Sequence, residues 1–293
     1  MAILKKGDKV GIISPSNEVS ANLIENGVKY LIEQGFVPVA GLNAFKTYRW
    51  MAGTPEERAE DINNFYKNPE IKALFCSRGG FGAQKILNYI DYDLIRKNPK
   101  PFFGFSDNTA VQLAIYAKTK QITYTGFDLR YDFRFGKLDK TEDQSFRDII
   151  SQAPQNISSG TTVIGGKTEG ILIGGCLSLF RNLCGTPYFP DLTDAILLIE
   201  DEDEKTYKID LMLDQISKCT NFDKIKGVIF GQFANCVTAD PKHGGVNDVI
   251  KYFCEKLNIP VIKDFNYGHI LSRYILPIGQ KVVLDADACE VRF

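Results

Sequence analysis

The sequence predicts an α/β fold: an N-terminal open, mostly parallel sheet with helices on both faces, then a smaller C-terminal α/β domain. Three observations carry this. Short apolar runs alternate with stretches of helical spacing through the first half, which implies parallel strands joined by helical crossovers. A length of 293 residues suits two domains. A stretch rich in Ser, Gly, Thr and Gln between about 151 and 170 is the best linker candidate, giving expected domains at 1–155 and 156–293.

Val10–Ser14 is a short apolar run closed by Pro15 and reads as a buried strand. From Ser20 to Gln34 the apolar residues Leu23, Ile24, Val28, Leu31 and Ile32 fall on one helical face, with Ser20 placed to cap the helix and Gly35 to end it. Thr54-Pro55-Glu56-Glu57 combines a capping box with proline at the first helical position, so a helix runs to about Tyr66. Next come a strand at Ile71–Cys76, a Gly-rich loop at Arg78–Gly82, a helix to about Tyr89, a strand at Phe102–Phe105 and a helix at Ala110–Lys118. The second half continues with helices near Leu177–Leu183, Tyr207–Ser217 and Val246–Leu257. Its strands are expected at Ala195–Glu200, Val228–Gly231 and Val261–Phe265, with a terminal pair at Lys281–Asp285 and Cys289–Phe293.

Composition narrows the function classes. A formal net charge of −1 gives no general pull toward phosphate backbones or anionic lipid, so neither nucleic acid nor membrane is expected as partner. No apolar run approaches the ~18 residues that span a bilayer, and the start has no signal-peptide pattern. Seven cysteines without a Cys-x-x-Cys pair argue against a disulfide framework and a zinc site, and only two histidines argue against a His-rich metal centre. A reducing cytoplasm is the expected compartment.

In parallel sheets the site lies beyond the carboxyl ends of the strands, which selects the loops 14–19, 77–82 and 105–109. In Gly104-Phe105-Ser106-Asp107 a serine stands between a buried strand and a helix, as in a nucleophile elbow, with the Asp107 N–H free to serve an oxyanion. The alternative is a serine N-cap. Gly79, Gly80 and Gly82 let the backbone approach a phosphate, carboxylate or oxyanion, or else serve a turn; the P-loop pattern is absent. A serine nucleophile needs a base. His243 sits in a polar turn, whereas His269 follows an apolar strand; Glu200, ending a buried strand, is best placed to orient it.

Several segments together resemble the serine L,D-carboxypeptidase family, that is, muramoyltetrapeptide carboxypeptidases and their microcin-immunity relatives. They are Gly7-Asp8-Lys9-Val10 with Ser14-Pro15-Ser16, Arg78-Gly79-Gly80-Phe81-Gly82-Ala83, Pro99-Lys100 through Gly104-Phe105-Ser106-Asp107, and Asn182 through Pro187. Leu198-Ile199-Glu200-Asp201 through Tyr207-Lys208-Ile209-Asp210, and Gly268-His269 with Leu276-Pro277-Ile278-Gly279, complete the set. The resemblance implies a Ser106–Glu200–His269 triad, an oxyanion hole from the Asp107 N–H and one N–H of Gly79-Gly80, no cofactor or metal, and a homodimer. It implies release of terminal D-alanine from an L,D-linked muramoyl tetrapeptide, a small cytoplasmic muropeptide of peptidoglycan recycling, with the active site at the junction of the two domains. Holding the free carboxylate of such a substrate needs positive charge, which Arg78 or Arg273 could supply, the alternative for each being a surface salt bridge. Phe81, Phe105 and Asn108 depart from the family's pattern. The alternatives are an immunity-type hydrolase of aminoacyl-nucleotide antibiotics, and a non-catalytic nucleotide or sugar-phosphate binder using Gly79–Gly82.

Overall fold

The computed structural model describes residues 2–238 and 240–293. The chain forms two units, Met1–Ala153 with Tyr274–Pro277, and Pro154–Arg273 with Ile278–Phe293. The expected contiguous 156–293 domain did not include this return of residues 274–277 to the first unit, a stretch too short to carry a pattern of its own.

The first unit is built on β1 (Lys9–Ile13), β2 (Val37–Ala40), β3 (Ile71–Cys76), β4 (Phe102–Gly104) and β5 (Thr123–Thr125). Its sheet runs in the order Leu276–Ile278, β5, β4, β3, β1, β2. The pairs β1–β2, β1–β3, β3–β4 and β4–β5 are all parallel. Strand order reverses at β1, so the loops after β1 and β3 leave the sheet on opposite sides of a crevice. That crevice is where the Ser14–Val19 and Ser77–Gly82 loops lie.

Helices α1 (Glu25–Glu33), α2 (Pro55–Lys67), α3 (Tyr92–Lys97), α4 (Thr109–Thr119) and α5 (Lys140–Ser151) belong to this unit. The capping box before α2 forms as expected: Thr54 Oγ1 accepts from the Glu57 N–H, and Glu57 Oε2 from the Thr54 N–H at 2.9 Å. Two expectations shift. Ser20 makes no side-chain cap bond, and a 3₁₀ turn, Ala21–Ile24, precedes α1. The expected helix after Gly82 is a 3₁₀ run, Ala83–Tyr89, and its Ala83 N–H is bound by the Asp107 carboxylate. Phe75 and Phe103 stack with centroids 4.5 Å apart, and Phe127 stacks on Phe146 of α5 at 5.0 Å, forming an aromatic core.

The second unit's strands are β6 (Asn156–Ser158), β7 (Thr161–Ile164), β8 (Lys167–Cys176), β9 (Ala195–Glu202), β10 (Gly227–Ala234) and β11 (Val261–Lys263). After β12, the Leu276–Ile278 strand already placed, come β13 (Lys281–Asp285) and β14 (Glu290–Arg292). The sheet order is β6-β14-β13-β8-β9-β10-β11-β7. Its centre, β8–β9–β10–β11, is parallel, and its flanks are antiparallel. The expected linker is therefore largely strand. Its polar composition reflects β6 and β7, short strands standing exposed at the two edges of the sheet. Helices α6 (Leu177–Asn182), α7 (Thr206–Ser217) and α8 (Val246–Cys254) complete the unit.

Candidate active site

Ser106 is held in a strained turn. Phe105 leaves β4 fully extended at φ −153°, Ser106 takes φ 61°, and a 3₁₀ turn, Ser106–Asn108, feeds directly into α4. A left-handed serine costs about 1–3 kcal/mol, which the surroundings must hold in place. Gly104 permits the tight return: a Cβ there would stand 2.9 Å from Asn108 Cβ and 3.0 Å from Cys76 Sγ. Asn108 then donates to the Arg78 carbonyl at 3.0 Å and to the Phe105 carbonyl at 3.1 Å, tying the elbow to the glycine loop. An aliphatic residue at 108 could make neither bond.

The glycine loop lies against the serine. A Cβ on Gly79 would come within 2.7 Å of Ser106 Cβ and 3.1 Å of its Oγ. Gly80, at φ +127°, has no room for a Cβ beside the Asn17 side chain, whose Oδ1 accepts from the Phe81 N–H at 2.7 Å. Among the described residues, the backbone N–H groups of Gly79, Gly80 and Asp107 donate to no other group of the chain. Gly79 and Asp107 are buried residues, where an unpaired N–H is costly unless something else is meant to receive it.

Asp107 is the underside of this assembly. Its buried carboxylate accepts from the Ser16 hydroxyl and from the Ala83 N–H at 2.7 Å, joining the loops after β1, β3 and β4. Burial pushes its pKa up, against the lowering effect of these bonds, of the Gly82 N–H and of the Arg58 charge. Arg58, buried on α2, donates to the Pro15 carbonyl and to the Gly82 carbonyl at 3.0 Å. Asn17 and Arg58 do not stand out in the sequence, and nothing in it gives Ser16 or the Asn108 amide these bonding roles. The only clue to Arg58 is a charged residue on the inward face of an amphipathic helix.

In the second unit, β9 buries Glu200 completely, and His269 Nδ1 lies 2.8 Å from Glu200 Oε2. Small residues make room for the pair. A Cβ on Gly231 would stand 3.2 Å from Glu200 Cβ, and one on Gly268 (φ +129°) 3.2 Å from Glu200 Oε2. His269 Nε2 is 3.6 Å from Glu202 Oε2, a contact the sequence did not suggest. Burial, the largest single influence, lowers the imidazole pKa, but the charge and hydrogen bond of Glu200 and the charge of Glu202 outweigh it. The net shift is upward, with Arg273 opposing. Asp201 is pushed up to about 6 by burial and by Glu200, and accepts from the Ser178 N–H at 2.8 Å and the Glu202 N–H at 2.9 Å.

The structure thus brings Ser106, Asp107, Gly79, Gly80 and Arg78 together in the first unit, and Glu200, His269 and Arg273 together in the second. Arg78 is half-buried and donates to the Gly79 carbonyl at 3.1 Å and the Glu18 carbonyl at 3.3 Å. Arg273 is fully buried and donates to the Ile270 carbonyl at 3.1 Å, which ties its guanidinium to the segment after His269. His243 is exposed in a 3₁₀ turn. Among the described residues no group of three or more His, Cys, Asp or Glu is placed to hold a metal ion, and no helix is long and apolar enough to cross a membrane.

Residues 10–126 match the LD-carboxypeptidase N-terminal domain, and residues 169–284 the LD-carboxypeptidase C-terminal domain. A probable murein peptide carboxypeptidase of Bacillus subtilis is 31% identical over 287 residues, covering 96% of this chain and 90% of the relative. The fold is similar to that of the wild-type microcin C7 self-immunity protein MccF without ligand, with a TM-score of 0.91 at 27% identity over 100% of this chain and 97% of that one. It is also similar to a muramoyltetrapeptide carboxypeptidase from Oxalobacter formigenes, with a TM-score of 0.89 at 25% identity over 97% of each chain. Two matched domains in sequence order, together with full-length relatives, show that the chain belongs to the LD-carboxypeptidase family.

Proposed function

We propose that the protein is a serine-type L,D-carboxypeptidase that releases terminal D-alanine from a small muramoyl tetrapeptide. The observation that carries this reading is the buried Glu200–His269 pair, a base with its orienting acid already in hydrogen-bond contact at 2.8 Å, in a chain whose other unit holds a serine at the apex of a strained elbow. His269 Nε2 takes the Ser106 proton as the oxygen attacks the amide carbon between an L-configured centre and D-alanine. Glu200 fixes the proton on Nδ1 and stabilises the imidazolium that forms. The Asp107 N–H and one N–H of Gly79-Gly80 receive the oxyanion; losing one such donor costs about 3–4 kcal/mol of barrier. The imidazolium then protonates the departing amine, and water, activated by the same base, releases the peptide. Nucleophile, base and oxyanion donors are all supplied by the chain, so chelation is expected to leave the rate unchanged.

Mass spectrometry of an anhydro-muramyl tetrapeptide incubated with the protein tests the reading directly, with loss of one alanine as the expected product. Ser106→Ala and His269→Ala should each abolish it without unfolding the protein; full release by either variant removes that residue from the mechanism.

The likeness to MccF supports a second reading, hydrolysis of an aminoacyl-nucleotide antibiotic. Solved structures of MccF include a complex with aspartyl sulfamoyl adenosine. Assaying that compound beside the muropeptide separates the two. A non-catalytic binder of nucleotides or sugar phosphates would instead show ligand-induced stabilisation that survives Ser106→Ala. A cytoplasmic site of action and a homodimer belong to the same proposal, and sedimentation of the purified protein reads the latter.

A further inference from the structure

We infer that Arg130, acting with Arg78, receives the C-terminal carboxylate of the substrate; this rests on the carboxypeptidase reading and names the residue that makes it an exopeptidase. The turn that follows β5 is anchored at two places next to the nucleophile. The Leu129 N–H donates to the Cys76 carbonyl at 3.2 Å, at the end of β3 and two residues before Arg78. The Tyr131 ring lies against that of Phe105, the residue before Ser106, with centroids 6.2 Å apart. Arg130 stands between these anchors, on the rim of the serine elbow and within the same unit.

The turn is built to hold it there. Asp128 Oδ1 accepts from the Arg130 N–H at 2.9 Å and the Tyr131 N–H at 2.6 Å, and Asp132 Oδ2 accepts from the Asp128 N–H at 2.7 Å. Both carboxylates are buried. The Arg130 side chain is left half-exposed, and among the described residues its guanidinium makes no hydrogen bond or ion pair. Arg78 donates to two backbone carbonyls and, among the described residues, forms no ion pair. Glu18 and Asp128 lie within electrostatic range of Arg78, and so does Arg130, whose like charge adds to burial in lowering the Arg78 pKa.

The like charges of Arg78 and Arg130 oppose one another, an anion received by both would relieve that repulsion, and the planar fork of each guanidinium matches a carboxylate. An exopeptidase must both neutralise the free carboxylate beside the scissile bond and reject its amide. A polar site built for one group rejects the analogue lacking it far more strongly than an apolar pocket could.

The test compares kcat/KM for the muramoyl tetrapeptide and for its C-terminal amide, in the wild type, Arg130→Gln and Arg130→Lys. The wild type should favour the acid, Arg130→Gln should lose about a hundredfold of that preference, and Arg130→Lys should keep part of it, all with unchanged melting temperature. An unchanged acid-to-amide ratio in Arg130→Gln overturns the inference while leaving the serine mechanism standing. Should the wild type release no alanine, the mechanism falls instead. The same ratio is then read by calorimetric binding of acid and amide to the Ser106→Ala protein, with and without Arg130→Gln. Equal binding of the two, or binding of neither, overturns the inference there.

Discussion

Gly79 is in van der Waals contact with Ser106: a methyl group on its Cα would press to 2.7 Å from the serine Cβ and 3.1 Å from Oγ. The neighbour that would have to yield is not the far end of a flexible chain but the serine Cβ itself, fixed by a left-handed backbone and by Asn108. Gly79 does not have a positive φ, so alanine is acceptable to its own backbone, and the clash with the serine is the whole effect. Gly79→Ala should therefore fold with a melting temperature a few degrees lower while D-alanine release falls by a hundredfold or more, since displacing a nucleophile by about 1 Å costs on the order of 10²-fold. Retained activity would show that the serine hydroxyl is not the working group.

Glu202 gives His269 a second carboxylate, on the nitrogen that receives the serine proton in the proposed mechanism. With Glu200 on Nδ1 and Glu202 3.6 Å from Nε2, the imidazolium is favoured and the pKa raised, with Arg273 as the charged group working against it. Glu202→Gln removes one negative charge, so the acidic limb of kcat/KM should move to lower pH. The stability consequence has a definite sign. A histidine whose folded pKa is raised contributes stability that is fully present below its unfolded pKa of about 6.5 and is lost as pH rises through the folded value. The wild type should therefore exceed Glu202→Gln in melting temperature more at pH 5.5 than at pH 8.5. A pH profile that does not move would mean that Glu202 is turned away from the imidazole in solution.

Much of this site could be read in the sequence, for identifiable reasons. Ser106, Glu200 and His269 each follow or end an apolar run, and chain order alone assigns such residues to the carboxyl ends of strands. The glycine loop declared itself by composition. Unreadable were the contacts that depend on sheet order: nothing local joins Ser16 to Asp107, or Asn108 to Arg78, until β1, β3 and β4 are neighbours. Arg130 stayed hidden because the strand before it, Thr123–Thr125, is three residues long and shows no period. The polar edge strands of the second unit were mistaken for linker because edge exposure and linker exposure select the same residues. The acidic run 200–204 carried a similar ambiguity, since Glu200 and Asp201 are buried while Asp203 is exposed.

Asp107 separates a residue's backbone role from its side-chain role. In the proposed mechanism its N–H serves the oxyanion, whereas its carboxylate holds Ser16 and Ala83, both on Oδ2. Asp107→Ala strands those donors in a buried site and should cost about 2–4 kcal/mol, at the upper end of what a lost buried partner exacts because more than one donor is affected. Asp107→Asn keeps an acceptor oxygen that can face both donors and removes a charge that burial disfavours, so it should cost less than the alanine variant and still release D-alanine. The wild-type carboxyl has a raised folded pKa, which means that its contribution is greatest below the unfolded value of 3.8 and diminishes as pH rises through the folded one. Asparagine cannot titrate, so the stability gap between wild type and Asp107→Asn should shift in favour of the variant between pH 3.5 and pH 7. Urea denaturation at those two pH values measures it, and a gap that widened against the variant would mean that the Arg58 charge outweighs the burial of Asp107.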